Sequence, residues 1–227
     1  NTLKISLYSI VVGFPLPIIL AIISNQLRVG KFRKIFQVTT YLPHFISTMV
    51  MCGMIILFLS PTSGLLANVF KSVGITIPDL LSKPSHFAGV YVWSDVWQHI
   101  GWDSIIYLAA LSAIDPTYYE AATMDGASRL QKIRHIELPL LLPTAMILLI
   151  LRAGSLLSVG FEKVLLLQNP LNLAGSEIIS TYVYKVGMVN FQYSYSTAIG
   201  LFNTVVNLII LLSVNWFSKR YTRTGLF

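Results

Sequence analysis

Charged residues are scarce in this sequence. Asp, Glu, Lys and Arg make up 11% of the 227 residues, whereas soluble domains have about 25%. Hydrophobic residues make up 55% of the chain, and the mean hydropathy is +0.70. So few charges do not cover a globule of this length, which excludes a water-soluble domain. The composition therefore predicts an integral membrane protein.

Residues that carry chemistry are equally sparse. The single cysteine, Cys52, lies in an apolar run, so it forms no intrachain disulfide and is predicted to be a packing residue. No G-x-x-x-x-G-K-[ST] loop is present to cradle ATP phosphates, since Gly30-Lys31 is followed by Phe32. The four histidines and the Ser and Asp residues show no metal-binding or nucleophile spacing. We therefore expect no catalytic residue, no metal and no cofactor on this chain.

Five apolar segments are long enough to cross a bilayer, which takes about 20 residues of helix. They are roughly 5–26, 38–60, 87–113, 140–160 and 196–217. The runs are unbroken and lack the alternation of a membrane β-barrel strand. The sequence predicts an all-α, polytopic transmembrane helix bundle forming one domain over residues 1–227. Because the chain begins at Asn1 without a signal pattern, we expect a sixth span upstream.

The basic residues are distributed unevenly between the two sides of the predicted bundle. Ten lie in three segments that share one side: Arg28, Lys31, Arg33, Lys34, Arg129, Lys132, Arg134, Lys219, Arg220 and Arg223. Five lie on the other side: Lys4, Lys71, Lys83, Lys163 and Lys185. Cytoplasmic loops are enriched in Lys and Arg, so we expect residue 1 outside and the C-terminus inside. This pattern accounts for the net charge of +7 and speaks against nucleic acid as a partner. Arg152, inside the fourth span, is expected to be buried against a partner or near a carboxylate.

A polar segment, EAATMDGASRLQKIRHIELP at 120–139, interrupts the apolar chain on the cytoplasmic side. Asp115-Pro116 is a typical helix start, since Asp caps free amides and Pro fits the first helical position. We expect one short helix over Tyr118–Met124, a break at Gly126, and a second helix over 128–136 that Pro139 ends.

The spacing in this segment resembles the EAA loop of binding-protein-dependent ABC importer permeases: E-A-A, three residues, G, nine residues, then I-x-L-P. In that family the loop is a coupling helix that sits in a cleft of the cytoplasmic ATPase subunit. The residues that the resemblance and their small or charged side chains assign to this contact are Glu120, Ala121, Ala122, Asp125, Gly126, Ala127, Arg129, Ile136, Leu138 and Pro139. The alternative is an ordinary interfacial loop whose charges face water.

Five further stretches are similar to the carbohydrate branch of this family, in particular to permeases for complex oligosaccharides and polysaccharides such as alginate-type importers. They are NTLKISL at the start, YLPHFIS at 41–47, GWDSIIYLAAL at 101–111, GFEKVLLLQNP at 160–170 and TYVYKVG at 181–187. The resemblance implies a bacterial inner membrane location and a permease that moves a sugar by alternating access. Its implied partners are a second, different permease, two ABC ATPase subunits that hold ATP and Mg, and an extracytoplasmic solute-binding protein.

Two other functions stay open on the residues alone. A permease for amino acids or small ions would share the EAA loop. A self-sufficient channel or secondary transporter would not need the loop at all. A membrane enzyme is the third and weakest reading, because no catalytic constellation is present.

Polar and aromatic residues inside the third and fifth spans are candidates for the substrate path, because polar groups in a membrane usually face the bundle interior or water. Aromatic rings stack on pyranose rings, and amides bind sugar hydroxyls. The candidates are Trp93, Asp95, Trp97, Gln98, His99, Trp102, Asp103, Asn203 and Asn207. Alternatively, the tryptophans belong to an interfacial belt, the asparagines join helices, and Asp103 pairs with a neighbouring helix.

The outer loop at 161–195 is a candidate contact for the binding protein, as in sugar-importer relatives. Gln168, Asn169, Asn172 and Tyr184 suit such a contact. A structured loop without this task is the alternative.

Overall fold

The computed structural model describes residues 1–27, 30–61, 64–72, 79–222 and 225, and all regular structure in these residues is helical. Arg28 and Arg223 of the basic set lie outside the described residues. The helices are α1 Thr2–Gly13, α2 Pro15–Gln26, α3 Lys31–Tyr41, α4 Thr48–Leu59, α5 Leu65–Ser72, α6 Pro84–Ser112, α7 Pro116–Met124, α8 Arg129–Lys132, α9 Leu138–Gly154, α10 Phe161–Leu167, α11 Leu173–Ser176, α12 Ile179–Tyr184 and α13 Tyr193–Thr222. A 3₁₀ turn covers Leu42–Phe45, and π turns cover Ile133–Glu137 and Lys185–Val189.

Among the described residues, three continuous helical segments are long and apolar enough to cross a membrane: Thr2–Gln26, Arg129–Gly154 and Tyr193–Arg220. They coincide with the predicted first, fourth and fifth spans, although the fourth ends at Gly154 rather than at residue 160. Helix α6 has 29 residues, which is long enough, but its polar side chains keep it out of this set. The count of five spans therefore stays a prediction.

The predicted second span, 38–60, does not form one straight helix. The helical segments Lys31–Phe45 and Thr48–Leu59 meet at an angle of 96°. Pro43 lies in the 3₁₀ turn, and Ile46 leaves it in extended conformation with ψ at 126°. The Ser47 hydroxyl then caps α4 by accepting from the Val50 amide at 3.4 Å, which a serine does well at a helix start.

The prediction that Pro139 ends a helix is wrong. Helicity continues from Arg129 through the π turn to Gly154. In an α-helix the ring of Pro139 would clash with the carbonyl four residues earlier. Here the Leu138 amide bonds the carbonyl of Ile133, five residues back, so the backbone is widened where the proline enters.

Two buried apolar clusters hold the bundle together, and α6 contributes to both. One, around the first half of α6, joins it to α1, α4 and α10 through Ile5, Met51, Cys52, Ile55, Phe87, Ala88, Tyr91, Val92, Val164, Leu167 and Ile178. The other, around its second half, joins it to α2 and α9 through Ala21, Tyr107, Leu111, Leu141 and Ala145. The first contains Cys52, a buried free thiol, in the predicted packing role.

Helix α6 also makes a close backbone contact with the end of α3. A Cβ atom at Gly101 would overlap the carbonyl group of Thr40 and crowd the Tyr41 amide nitrogen. The absence of a side chain at Gly101 is what allows this approach.

We therefore expect Gly101→Ala to destabilise the protein by about 1–3 kcal/mol, because the added methyl overpacks a backbone–backbone contact. Gly89→Ala, in the same helix, is the matched control, since a Cβ there has no atom of the described residues within 4 Å. Thermal unfolding of the detergent-solubilised protein measures both. Equal midpoints for the two variants would contradict the contact.

Candidate functional site

The polar segment 120–139 folds as two helical pieces joined by a sharp turn. Asp115 caps α7 by accepting from the Thr117 amide at 2.9 Å, and this hydrogen bond lowers the pKa of the Asp115 carboxyl. The cap is thus ionised at neutral pH and weakens only when the pH falls through the lowered pKa. Gly126 has φ at +73°, the left-handed conformation that favours glycine. The predicted break at Gly126 is confirmed.

The second piece is fixed by its own cap and by a bond back to α7. Ser128 and Gln131 form a reciprocal capping box, each side chain bonding the other's backbone amide. The Lys132 ammonium donates to the Thr123 hydroxyl at 2.7 Å. The turn therefore has a defined shape without any partner chain.

Most of the residues predicted for the coupling contact lie exposed on this turn. Glu120, Ala121, Asp125, Gly126, Arg129, Leu138 and Pro139 are exposed, whereas Ala122, Ala127 and Ile136 are half-buried. Sequence reasoning missed the apolar residues beside them: Tyr118, Leu130 and Met124 are also exposed, Met124 by 88%. Apolar side chains of this size next to charges of both signs make a surface suited to docking.

Glu137 is a buried polar residue that sequence reasoning passed over. It is completely buried, although it belongs to the same polar segment. Its Oε1 accepts from the side-chain amides of Asn25 at 3.0 Å and Gln26 at 2.8 Å and from the Tyr119 hydroxyl at 3.3 Å. Burial and the Glu137 carboxylate raise the pKa of Tyr119 to about 12, so its hydroxyl remains a donor at neutral pH.

A second polar cluster lies along α6. The Lys163 ammonium is 3.2 Å from the Asp95 carboxylate, and the His99 Nδ1 atom lies 3.5 Å from the same oxygen. Lys163 is only 5% exposed, so this residue of the outer-loop set belongs to the bundle interior. A cavity of about 150 Å³ beside the pair is lined by Ser6, Ser9, Ile10, Tyr91, Asp95, Arg152, Ser155, Leu156, Ser158, Val159 and Gly160.

Arg152 lines this cavity and two adjacent ones, both of which Asp103 also lines. Its Nη1 atom donates to the carbonyl of Gly13 at 3.0 Å. That carbonyl would ordinarily bond the amide four residues on, but Pro17 has no N–H. Arg152 thus satisfies a backbone group that a proline leaves free, which the sequence did not predict.

The bend between α3 and α4 brings two aromatic side chains onto α6. His44 stacks on Trp102 with a centroid distance of 4.3 Å and an interplanar angle of 2°. Phe45 meets the edge of Trp102 at 5.9 Å, and His99 approaches His44 at 5.3 Å. Phe45 is 73% exposed and Trp102 is 44% exposed, so the cluster presents aromatic surface outside the chain's own core.

Other predicted path residues are bound within the chain. Gln98 is buried and donates to the Ile46 carbonyl at 2.8 Å, which holds the bend against α6. Asn207 accepts from the Leu157 amide at 3.0 Å and donates to Ser158. Trp93 and Trp97 are exposed, and the Trp93 indole donates to the Tyr8 hydroxyl at 2.9 Å.

Two asparagines of the predicted outer contact organise their own loop. Asn172 is fully buried and donates to the carbonyls of Leu81 and Leu167, and Asn169 donates to Leu81 as well. Gln168 is half-buried. Tyr184 is exposed and shares a cavity of about 360 Å³ with Asn203 and with Phe161, whose ring is 5.2 Å away.

The family profile for "Binding-protein-dependent transport system inner membrane component" matches residues 13–223. The chain belongs to this family. It is therefore an inner membrane component of an ABC importer that works with a binding protein, which confirms the resemblance drawn from the EAA-type spacing.

Similar proteins extend over the whole chain. Protein LplB and the polygalacturonan/rhamnogalacturonan transport system permease YteP, both of Bacillus subtilis (strain 168), are each 38% identical over 227 residues, 100% of this chain and 71% of the relative. The structure of a bacterial alginate ABC transporter, with its periplasmic protein bound to alginate pentasaccharide, has a chain that is 42% identical with a TM-score of 0.96. This match covers 100% of this chain and 78% of the other. An amino acid ABC transporter at 14% identity and a TM-score of 0.59 shares the fold.

The Asp95–Lys163 pair of this importer permease provides a stability test. We expect Lys163→Met to cost about 3–5 kcal/mol, because it leaves a partly buried carboxylate without its cation. The control is Lys185→Met, which breaks the more exposed pair with Glu177 at 2.9 Å and should cost about 1 kcal/mol or less. Thermal unfolding in detergent compares them, and Asp95→Asn added to Lys163→Met should recover part of the loss. Equal losses for the two lysine variants would contradict the buried pair.

Proposed function

We propose that this chain is the translocation permease of an ATP-driven importer that takes an oligosaccharide from a solute-binding protein into the cytoplasm by alternating access. The observation that carries the proposal is the preformed turn around Gly126 with its exposed apolar and charged side chains. A loop built for solvent alone would have no reason to expose Tyr118, Met124 and Leu130 together.

The docking partner of this turn is an ABC ATPase subunit. Because the chain lacks a phosphate-binding loop, ATP and Mg belong on two such subunits, and a second, different permease completes the membrane unit. The small Ala121 and Ala122 allow close approach. Glu120 and Asp125 would meet basic partner residues, and Arg129 acidic ones. The excess of basic loop residues supports residue 1 outside and the C-terminus inside.

The cargo is a sugar, and the cluster at the α3–α4 bend is the part of the path that receives it. Phe45 and Trp102 offer ring faces for a pyranose, while Asp95, His99 and the serines of the adjacent cavity offer hydrogen bonds. The named substrates of two similar proteins, polygalacturonan/rhamnogalacturonan and alginate, support an acidic oligosaccharide. Lys163 and Arg152 bring positive charge to the same region.

The turn provides a test of coupling. We expect Gly126→Val to lower ATP-driven uptake by about five- to thirty-fold, because a β-branched residue is disfavoured by roughly 1–2 kcal/mol in left-handed conformation. Gly126→Asn is the matched control, since Asn tolerates this conformation. Uptake into proteoliposomes containing the complete importer measures both, at equal amounts of assembled complex. Full uptake by Gly126→Val would contradict the coupling role.

The cargo is tested with the binding protein and a panel of trigalacturonate, a rhamnogalacturonan oligosaccharide, an alginate trisaccharide, arabinotriose and histidine. We expect an acidic oligosaccharide to stimulate ATP hydrolysis and enter the vesicles. We also expect Trp102→Ala to lower this uptake, because it removes a ring face on which a pyranose can pack. Stimulation by histidine alone would replace the sugar assignment with an amino-acid one.

A further inference from the structure

In the coupling turn, residues 115–139, a buried carboxylate forms hydrogen bonds that tie the turn to the membrane bundle. Glu137 lies in the π turn between α8 and α9, and its donors come from two other elements, the end of α2 and α7. An ionised carboxylate only accepts, so Asn25, Gln26 and Tyr119 all donate to it. Three donors on one buried oxygen are a strong and specific attachment, since bonds to charged groups are worth more than neutral ones.

The continuous helical segments Thr2–Gln26 and Arg129–Gly154, which contain α2 and α9, are joined again far from Glu137. Arg152 on α9 donates to the carbonyl of Gly13, the last residue of α1, and it lies fifteen residues beyond Glu137 along the chain. Between these points, Ala21 of α2 and Leu141 and Ala145 of α9 pack in one buried cluster with α6. Two polar joints, with this shared cluster between them, connect the segments Thr2–Gln26 and Arg129–Gly154 at two levels of the bundle, so that sliding of either segment would break a buried bond. We refer to these two segments as the α2–α9 pair.

We propose that Glu137 is a positioning residue that transmits the movement of the coupling turn to this α2–α9 pair. Tyr119 lies on α7, one residue before Glu120, so a displacement of α7 reaches Glu137 directly. The α2–α9 pair then carries it to Arg152, which lines the polar cavity beside Asp95. The proposal rests on the proposed function. The movement passes from Tyr119 through Glu137 to Arg152.

The second oxygen of Glu137 makes a sharp test possible. Oε2 is buried and has no hydrogen-bond partner among the residues that the structure describes, so glutamine can keep Oε1 as the acceptor and place its NH₂ group where Oε2 was. Methionine has a similar length but offers no comparable acceptor. Glu137→Gln and Glu137→Met therefore remove the same charge and differ in the acceptor for three buried donors.

The experiment measures the coupling ratio, the sugar taken up per ATP hydrolysed, in proteoliposomes of the complete importer with its loaded binding protein. The probe is the panel oligosaccharide with the highest wild-type uptake, in radiolabelled form. We expect Glu137→Met to lower the ratio at least about five-fold, since leaving buried donors unbonded is costly. Glu137→Gln should stay within about two-fold of wild type, because its NH₂ group at the former Oε2 position costs stability and lowers the yield of complex but leaves the three donors bonded.

The ratio separates positioning from simple loss of structure, because a destabilised variant yields fewer complexes without changing sugar moved per ATP. An unchanged ratio in Glu137→Met, or an equal fall in Glu137→Gln, would overturn the proposal. Absence of wild-type uptake for every panel member would instead count against the proposed function.

If Glu137→Met does not assemble, Tyr119→Phe and Asn25→Ala decide the matter, since each removes one donor and leaves the others. We expect each to lower the ratio about two-fold and the double variant to lower it further. Ratios equal to wild type in all three would overturn the proposal.

Discussion

The constraint behind this structure is that a backbone N–H or C=O in apolar surroundings has to be bonded within the protein. Regular helix meets it almost everywhere, and side chains meet it where helix fails. Pro17 leaves the Gly13 carbonyl without its amide, and Arg152 binds it. The bend after Phe45 frees the Ile46 carbonyl, and Gln98 binds it. In both cases the donor lies on another helix, so each free carbonyl becomes the site of a hydrogen bond between helices.

This arrangement explains why polar side chains in the membrane serve two roles. Gln98 and Arg152 hold the backbone, and both lie close to the residues that face cavities. The aromatic surface of Phe45 and Trp102 exists because the chain bends, and the bend is stable because Gln98 and Ser47 satisfy it. At the other end of the bundle, Glu137 uses the same principle with side-chain donors. Buried side-chain hydrogen bonds thus fix both the turn around Gly126 and the polar interior of the bundle.

The sequence was sufficient for the features that depend on local chemistry. The positions of the first, fourth and fifth spans follow from apolar length, and the break at Gly126 follows from glycine's freedom at positive φ. The 96° bend could not be read from apolar length, because its cause is a proline combined with a distant glutamine. Glu137 was equally hidden, since a glutamate in a charged loop is usually exposed, and only the fold brings Asn25 and Gln26 to it. Lys163 was counted with the loop lysines because its partner, Asp95, is 68 positions away in the sequence.

The contact at Gly101 has an evolutionary consequence. Helices α3 and α6 meet there through main-chain atoms of Thr40 and Tyr41, so their spacing is set by the absence of a side chain. Trp102, the next residue, takes no part in that contact through its side chain, and its ring projects onto the aromatic surface with His44 and Phe45. Substitutions of these three side chains therefore leave the main-chain contact at Gly101 itself unchanged. Permeases of this kind can therefore change their substrate specificity while the spacing of α3 and α6 stays the same.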